Sequence, residues 1–502
     1  MKKNTLTIIV LSIFLILNSC QNEPKVSSKY LITSHKEIIG KKEVLTTYLI
    51  NKTFLGNEQR NYYGNYAPSK LEIIWEHNLG TGKTRVGSSL KSWSGAGWTG
   101  QPLLVKEDNV LYIIQGAYDH NLKKINAETG KLVWNYKYDD VIKGTGTIWH
   151  NRNAEDKENE FVILQGSRKG VNNGLSAAVI PSYRAVSFFT GQDLWKYNSK
   201  RTECYSRDVD GSALILNDTA YLGLENGIFI VFDPDYKKAE QKDGLLQPAI
   251  YYTDSLYYPN DRLKHGGNLV TECSPSLLGD RVYLASGSGH VWGFNLKTKK
   301  IDWEFYTGSD IDGSPVVTSD GCLLISVEKQ YIAGKGGVLK LDPSKESDSS
   351  VVWYFPVGNR TFAGWQGGII GSVGINDSYI KDDKTPYLAA FIAIDGNTYV
   401  INHKELDGNK KVLGPNNIHY YPTPKQVMKY PTGPAISTPI IVGNKLIAAT
   451  YDGIYLWQYD NNLNFTLLDE QIYGAFESTP VVHNGRLYVA SRNGNLYCLG
   501  QK

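Results

Sequence analysis

The chain has 502 residues, with 53 Lys+Arg against 50 Asp+Glu and a formal charge of +3. That balance lacks the concentrated positive charge that nucleic acid requires, so no nucleic-acid partner is expected. The 49 Gly, 34 Tyr and 11 Trp against 2 Met describe turns and aromatic-rich strands, which excludes a helical bundle or a disordered chain; the length exceeds one ordinary domain unless a repeat grows sideways.

At the N-terminus, Lys2 and Lys3 precede an uncharged run of twelve residues, Leu6 to Leu17. A helix that short does not cross about 30 Å of hydrocarbon. The run ends in Leu17-Asn18-Ser19-Cys20, which resembles the lipobox of bacterial lipoproteins. The resemblance implies that 1–19 is a signal peptide and that Cys20 becomes the acylated N-terminus; an ordinary secretory signal with an incidental cysteine is the alternative. Gln21, where that family usually carries Asp for inner-membrane retention, implies an outer-membrane address, facing periplasm or surface. Each buried acyl methylene adds about 0.8 kcal/mol to such an anchor. Residues 20–69 read as tether and N-terminal extension, with one β-like stretch from Val44 to Phe54. No later segment approaches a membrane span.

From residue 70 onward the sequence repeats. Ser274-Pro275, Arg281 to Ser286 and Gly289 return as Thr479-Pro480, Arg486 to Ser491 and Gly494, with fourteen positions from Pro to Gly in each copy. The interval recurs from Pro439 to Gly453, and from Ala213 to Gly227. An apolar run after Ser-Pro, a turn, a second apolar run and a Gly turn make an antiparallel pair of strands. A third strand then leads to Thr-Gly-x-x-x-Trp and a fourth. The last element is clearest in Thr129-Gly130-Lys131-Leu132-Val133-Trp134 and returns at Thr190-Gly191 with Trp195, Thr298-Lys299 with Trp303, and before Trp353. Four short strands every 40 to 60 residues make a propeller blade.

The motif resembles the tryptophan-docking repeat of the pyrroloquinoline-quinone (PQQ) propeller superfamily, over about residues 70 to 500. The predicted fold is all-β, an eight-bladed propeller of four-stranded antiparallel blades over 70–502. Inner strands begin near Pro102, Ile148, Ala213, Pro275, Pro315, Val373, Pro439 and Pro480. Seven blades are the alternative, because the Pro315 and Val373 copies carry insertions. The last copy stops after three strands, and Leu71 to Trp75 is expected to supply the fourth. Closing the ring in this way removes exposed edges. Cys322 and Cys498 lie in apolar runs and read as buried thiols. Cys204 and Cys273 precede inner strands of adjacent blades, so a disulfide between them is open.

Residues just before each inner strand gather at one end of a propeller's channel. Asp210, Glu272, Asp312 and Glu477 stand three positions before the Pro or its equivalent, with Asp310 and Asp208 close by. Such acids can organise the turn by accepting backbone N–H bonds, hold a cation or basic ligand, or dock a partner. Arg207 beside Asp208 reads as a neutralising pair. Trp98, Trp149 and Trp365 in the same loops suit either a sugar or ring ligand or a channel plug. His150, His265 and His290 lack metal spacing and read as structural.

Two precedents follow from the resemblance. PQQ dehydrogenases carry PQQ with calcium on this propeller, often under adjacent cysteines and over a Trp floor. Here no cysteines are adjacent; Glu272 and Asp312 match part of a calcium set and Trp365 the floor, without an ordered motif. BamB-type lipoproteins of the outer-membrane barrel-assembly machinery use the propeller without cofactor. In that family an Asp-x-Asp-[Ser/Thr]-[Ser/Thr]-Pro segment docks the barrel subunit. Asp310-Ile311-Asp312-Gly313-Ser314-Pro315 is similar to it, with Gly for the first hydroxyl, whereas Asn268 to Glu272 lacks the Arg of the family's Leu-x-Leu-Arg stretch. No Ser/His/Asp order, metal signature, Walker loop or dinucleotide fingerprint occurs, so no catalysis and no cofactor are expected. The expectation is a lipid-anchored binding or scaffold protein whose partners are outer-membrane or periplasmic proteins. PQQ/calcium oxidation and surface glycan binding are the alternatives.

Overall fold

A computed structural model describes residues 47–382 and 384–502. The expected signal peptide, Cys20 and the tether up to residue 46 lie outside the described residues. Eight antiparallel blades close into a ring, seven of four strands and one of five. The innermost strands are Leu103–Glu107, Thr147–His150, Leu214–Leu216, Ser276–Leu278, Val316–Val317, Gly374–Ile375, Ile440–Val442 and Val481–His483, each beginning within two residues of its predicted start. Glu72–Asn78 pairs with Asn495–Gly500 and completes the eighth blade. The ring is therefore closed by the strand that carries Trp75. The chain after Asp233 forms a small hairpin, Glu240–Lys242 with Leu245–Gln247, and the outer hairpin of the sixth blade, Asn397–Leu413 with Tyr420–Pro431, is long.

Two repeat elements explain why the blades stay in register. Each docking Trp reaches into the next blade: the indole N–H of Trp75 donates to Ala127 O, Trp134 to Phe188 O, Trp195 to Pro234 O and Trp303 to Lys345 O, all at 2.9 to 3.0 Å. The glycine of the Thr-Gly turn is needed because the indole lies flat upon it. At Gly130 φ is +71°, and a Cβ would sit 2.8 Å from Trp75. The Ser or Thr before Pro forms a belt around the channel. Ser212 N donates to Ser274 Oγ, Ser274 N to Ser314 Oγ, Ser314 N to Ser372 Oγ, Ser372 N to Thr438 Oγ1 and Thr438 N to Thr479 Oγ1, at 2.8 to 3.1 Å. Gln101 N joins the belt through Thr145 Oγ1 at 2.5 Å. Six hydroxyls, each from a different blade, satisfy backbone donors that the narrow channel hides from water.

Residues 47–66, expected as part of the extension, are woven into the ring. Thr47–Asn51 adds a fifth strand inside the first blade, against Leu104 to Glu107. The chain then runs around the channel wall, with Lys52, Glu58, Gln59, Tyr63 and Tyr66 carbonyls accepting from Ile148, Leu277, Val317, Val482 and Gly485. Gly64 is pressed on the eighth blade at φ +101°, where a Cβ would lie 1.7 Å from Val482 O. Arg60 is fully buried and donates to Pro275 O, Phe54 O, Ser212 O and Thr53 Oγ1; burial pushes its pKa down to about 10. This segment fills the channel from the end opposite the site.

All four described cysteines are free and buried. The possible Cys204–Cys273 bond is absent. Cys204 Sγ instead donates to Leu269 O at 3.4 Å and Cys273 Sγ to Ala285 O at 3.1 Å. No helix among the described residues is long and apolar enough to cross a membrane.

Candidate functional site

The hydroxyl belt sets the register of the site. Two positions before each belt residue the eight blades present Thr99, Lys143, Asp210, Glu272, Asp312, Ile370, Ile436 and Glu477. A small cavity of about 20 Å³ lies beneath them, lined by Thr99, Asp210, Glu272, Asp312 and the belt hydroxyls, with Phe54 of the N-terminal segment among its walls. Above them a cavity of about 430 Å³ opens among Trp98, Tyr205, His265, Asn268, Tyr331 and Trp365.

The carboxylates form two triads. Asp210, Glu225 and Glu272 bring oxygens within 4.8 Å of one another, and so do Asp310, Asp312 and Glu328. The first triad holds an ammonium. Lys143 Nζ lies 2.5 Å from Asp210 Oδ2 and 3.5 Å from Glu225 Oε1, and 5.0 Å from the Trp98 ring centroid. Burial opposes the charge on Lys143, yet the attraction of Asp210, Glu225 and Glu272 raises its pKa well above the usual lysine value. Burial outweighs the pull of that one cation on its partners: Glu225 and Glu272 are pushed up to about 7, and Asp210 well above the carboxylate range. Trp98 ties the wall to the floor, because its indole N–H donates to Glu272 Oε2 at 2.6 Å.

The second triad has no cationic side chain in ion-pair contact among the described residues. Burial, then the neighbouring acids, raises Asp312 and Glu328 well above their usual values; burial alone carries Asp310 up to about 6, its hydrogen bonds pulling the other way. Asn268 Nδ2 donates to Asp310 Oδ2 at 2.5 Å, while no donor reaches Asp310 Oδ1, Glu328 Oε1 or Asn268 Oδ1.

The expected site residues divide accordingly. Asp210, Glu272, Asp310, Asp312 and Trp365 converge at this mouth. Arg207 does not: its guanidinium turns away to the carbonyls of Ser199, Leu175 and Ala177. Asp208 is neutralised instead by Arg168, 2.7 Å away; burial alone would raise it, but Arg168 and Lys143 hold it below the usual carboxylate value. Glu477 is consumed by Arg492 at 2.7 Å, Tyr451 Oη at 2.9 Å and Tyr118 Oη at 3.3 Å. Trp98 and Trp365 pack together with centroids 5.8 Å apart, but Trp149 lines a separate cavity of about 1010 Å³ at the other end, bonded to Asp218.

Sequence reasoning passed over Lys143, Glu225, Glu328 and Arg168. Aligning the second blade at Ile148 places its repeat two residues late, since the belt hydroxyl is Thr145; in the correct register Lys143 occupies the acidic position. Arg168, Glu225, Tyr451 and Arg492 share a second period, two positions before Gly170, Gly227, Gly453 and Gly494. That period was a readable signal.

Ring, docking tryptophans, belt and channel mouth together define an eight-bladed β-propeller of four-stranded antiparallel blades, one of them carrying a fifth strand. No protein-family model matches the chain. Over 200 residues it is 26% identical to the outer membrane protein assembly factor BamB of Shewanella oneidensis, a match spanning 39% of this chain and 40% of that protein. BamB from Moraxella catarrhalis aligns with a TM-score of 0.52 at 13% identity, over 86% of this chain and all of that one. The quinohemoprotein alcohol dehydrogenase of Comamonas testosteroni aligns with a TM-score of 0.56 at 12% identity, over 90% of this chain and 81% of that one. At these identities the solved structures share the fold.

Proposed function

We propose that this protein is a non-catalytic propeller, lipid-anchored through Cys20 at the outer membrane, that docks a protein partner across the acidic–aromatic mouth and serves outer-membrane protein assembly. The observation that carries this reading is the position of Asp310 to Pro315. The segment that resembles the docking motif of BamB-type proteins forms part of the mouth, beside Tyr205 at 52% and Tyr331 at 38% exposure. Exposed aromatics over a rigid polar floor are the side chains that interfaces favour. The partial identity to a named assembly factor supports the same class of partner. Thr47, the first described residue, pairs with Glu107 at the far end of the first blade, away from the mouth.

The test is capture of the tagged lipoprotein from gently solubilised outer membranes, with mass spectrometry of what accompanies it. Barrel-assembly subunits should be recovered, and Tyr205→Ala with Tyr331→Ala should cut recovery at least tenfold while the melting temperature is unchanged. Asp310→Ala with Asp312→Ala should abolish recovery. Failure to recover such subunits, or recovery indifferent to both double variants, overturns the reading.

A further inference from the structure

The two triads share one construction: three carboxylates at the mouth with aromatic rings above. In the first, an ammonium sits between acids and indole, with Lys143 Nζ 2.5 Å from Asp210 and 5.0 Å from the Trp98 centroid. In the second that place has no side chain to fill it. The unoccupied acceptors are well defined. Asn268, only 8% exposed, directs an unpartnered Oδ1 to the same point as the unpartnered Oδ1 of Asp310, since a Cβ on Gly287 would lie 2.9 Å from each. Glu328, 1% exposed, adds an unpartnered Oε1. Two acceptors converge at that point, and Glu328, whose Oε2 accepts from Gln330, stands beside them in the triad; an ammonium group brings three N–H donors to such oxygens. The open side is walled by Trp98, Tyr205, Tyr331 and Trp365, whose ring faces attract an organic cation. A hard metal ion would want six to eight oxygens, and these walls supply rings instead.

We propose that Asn268, Asp310, Asp312 and Glu328 form a binding site for a primary ammonium group, the tip of a lysine side chain or of a small polyamine, held as the neighbouring triad holds Lys143. The proposal rests on the docking reading only for a protein source of that group.

Calorimetry on the purified full chain uses cadaverine, a lysine-bearing tetrapeptide, its Nε-acetylated form and calcium chloride as probes. Cadaverine or the lysine peptide should bind and the acetylated peptide should not; which of the two binds more tightly identifies the source. Asp310→Asn with Glu328→Gln should weaken binding at least tenfold. Gly287→Ala, which keeps every charge and fills the bracketed space, should weaken it as well, so a poorly folded double variant does not decide the matter. Absence of amine binding, amine binding indifferent to both variants, or calcium that binds at the triad and is not displaced by amine overturns the proposal. Amine binding with no partner capture refutes docking alone; capture with no amine binding refutes only this site.

Discussion

The two carboxylate triads differ in one residue of the repeat. At the position two before the belt hydroxyl, the second blade carries Lys143 and the third, fourth and fifth carry Asp210, Glu272 and Asp312. Lys143 therefore lies at one end of an acidic run and reaches the triad beside it, while Asp310, Asp312 and Glu328, at the other end, receive no cation. A desolvated charge is costly, so buried acids such as these take a proton or draw a cation to them. A single repeat position thus sets both the internal ion pair and the place where an external cation fits.

The comparison breaks most visibly at Lys143. Lys143→Met leaves buried acids without their cation and should cost about 3–5 kcal/mol in denaturant unfolding. Glu328→Gln removes an acid whose charge is already disfavoured and should be neutral or stabilising. Equal costs for the two variants would show that the triads are not different in kind.

A second expectation concerns pH. Asp310 has a folded value near 6, above that of an unfolded carboxyl, so its contribution to stability is complete below about pH 4 and is lost as pH rises through about 6. Asp310→Asn lacks this dependence. The variant should gain on the parent chain between about pH 4 and pH 6, by at most about 1.4 kcal/mol per pH unit. His265 and His483, which burial lowers to about 4, pull the other way in both proteins and cancel in the difference. A pH-independent difference in unfolding free energy would remove the uncompensated triad.

The smallest effect sharpens the picture. Trp98→Phe keeps a ring over Lys143 but deletes the indole bond to Glu272, which should cost about 1 kcal/mol and raise the Glu272 pKa, followed by carboxyl resonances in an NMR titration.

Much of the ring was legible because its devices are local. Ser-Pro, the Gly turns and Thr-Gly-x-x-x-Trp each serve one hydrogen bond or one contact, repeated at fixed spacing. Blade count, strand starts and closure by the Trp75 strand therefore follow from counting. The site was legible by half. Asp210, Glu272 and Asp312 stand on the period and Asp310 two residues ahead of it, but Asn268 and Glu328 meet Asp310 from the edges of neighbouring blades, and no spacing shows that meeting. Arg207 was misread because adjacency in sequence says nothing of direction: successive residues here face opposite sides of the wall, and Arg207 left Asp208 to Arg168. Trp149 was misplaced by the same two-residue slip that concealed Lys143.

Local patterning set the architecture, since hydrophobic alternation and turn chemistry act over a few residues and need no knowledge of distant ones. It determined as well that acids would crowd one end of the channel. Closure of the ring settled which of those acids are paired, that residues 47–66 fill the channel from the other end, and that one triad stands without a cationic side chain among the described residues. Burial and charge pairing depend on side chains brought together from blades some forty to one hundred residues apart, and whether a carboxylate is neutralised is settled by what lies within a few ångströms of it once the ring has closed.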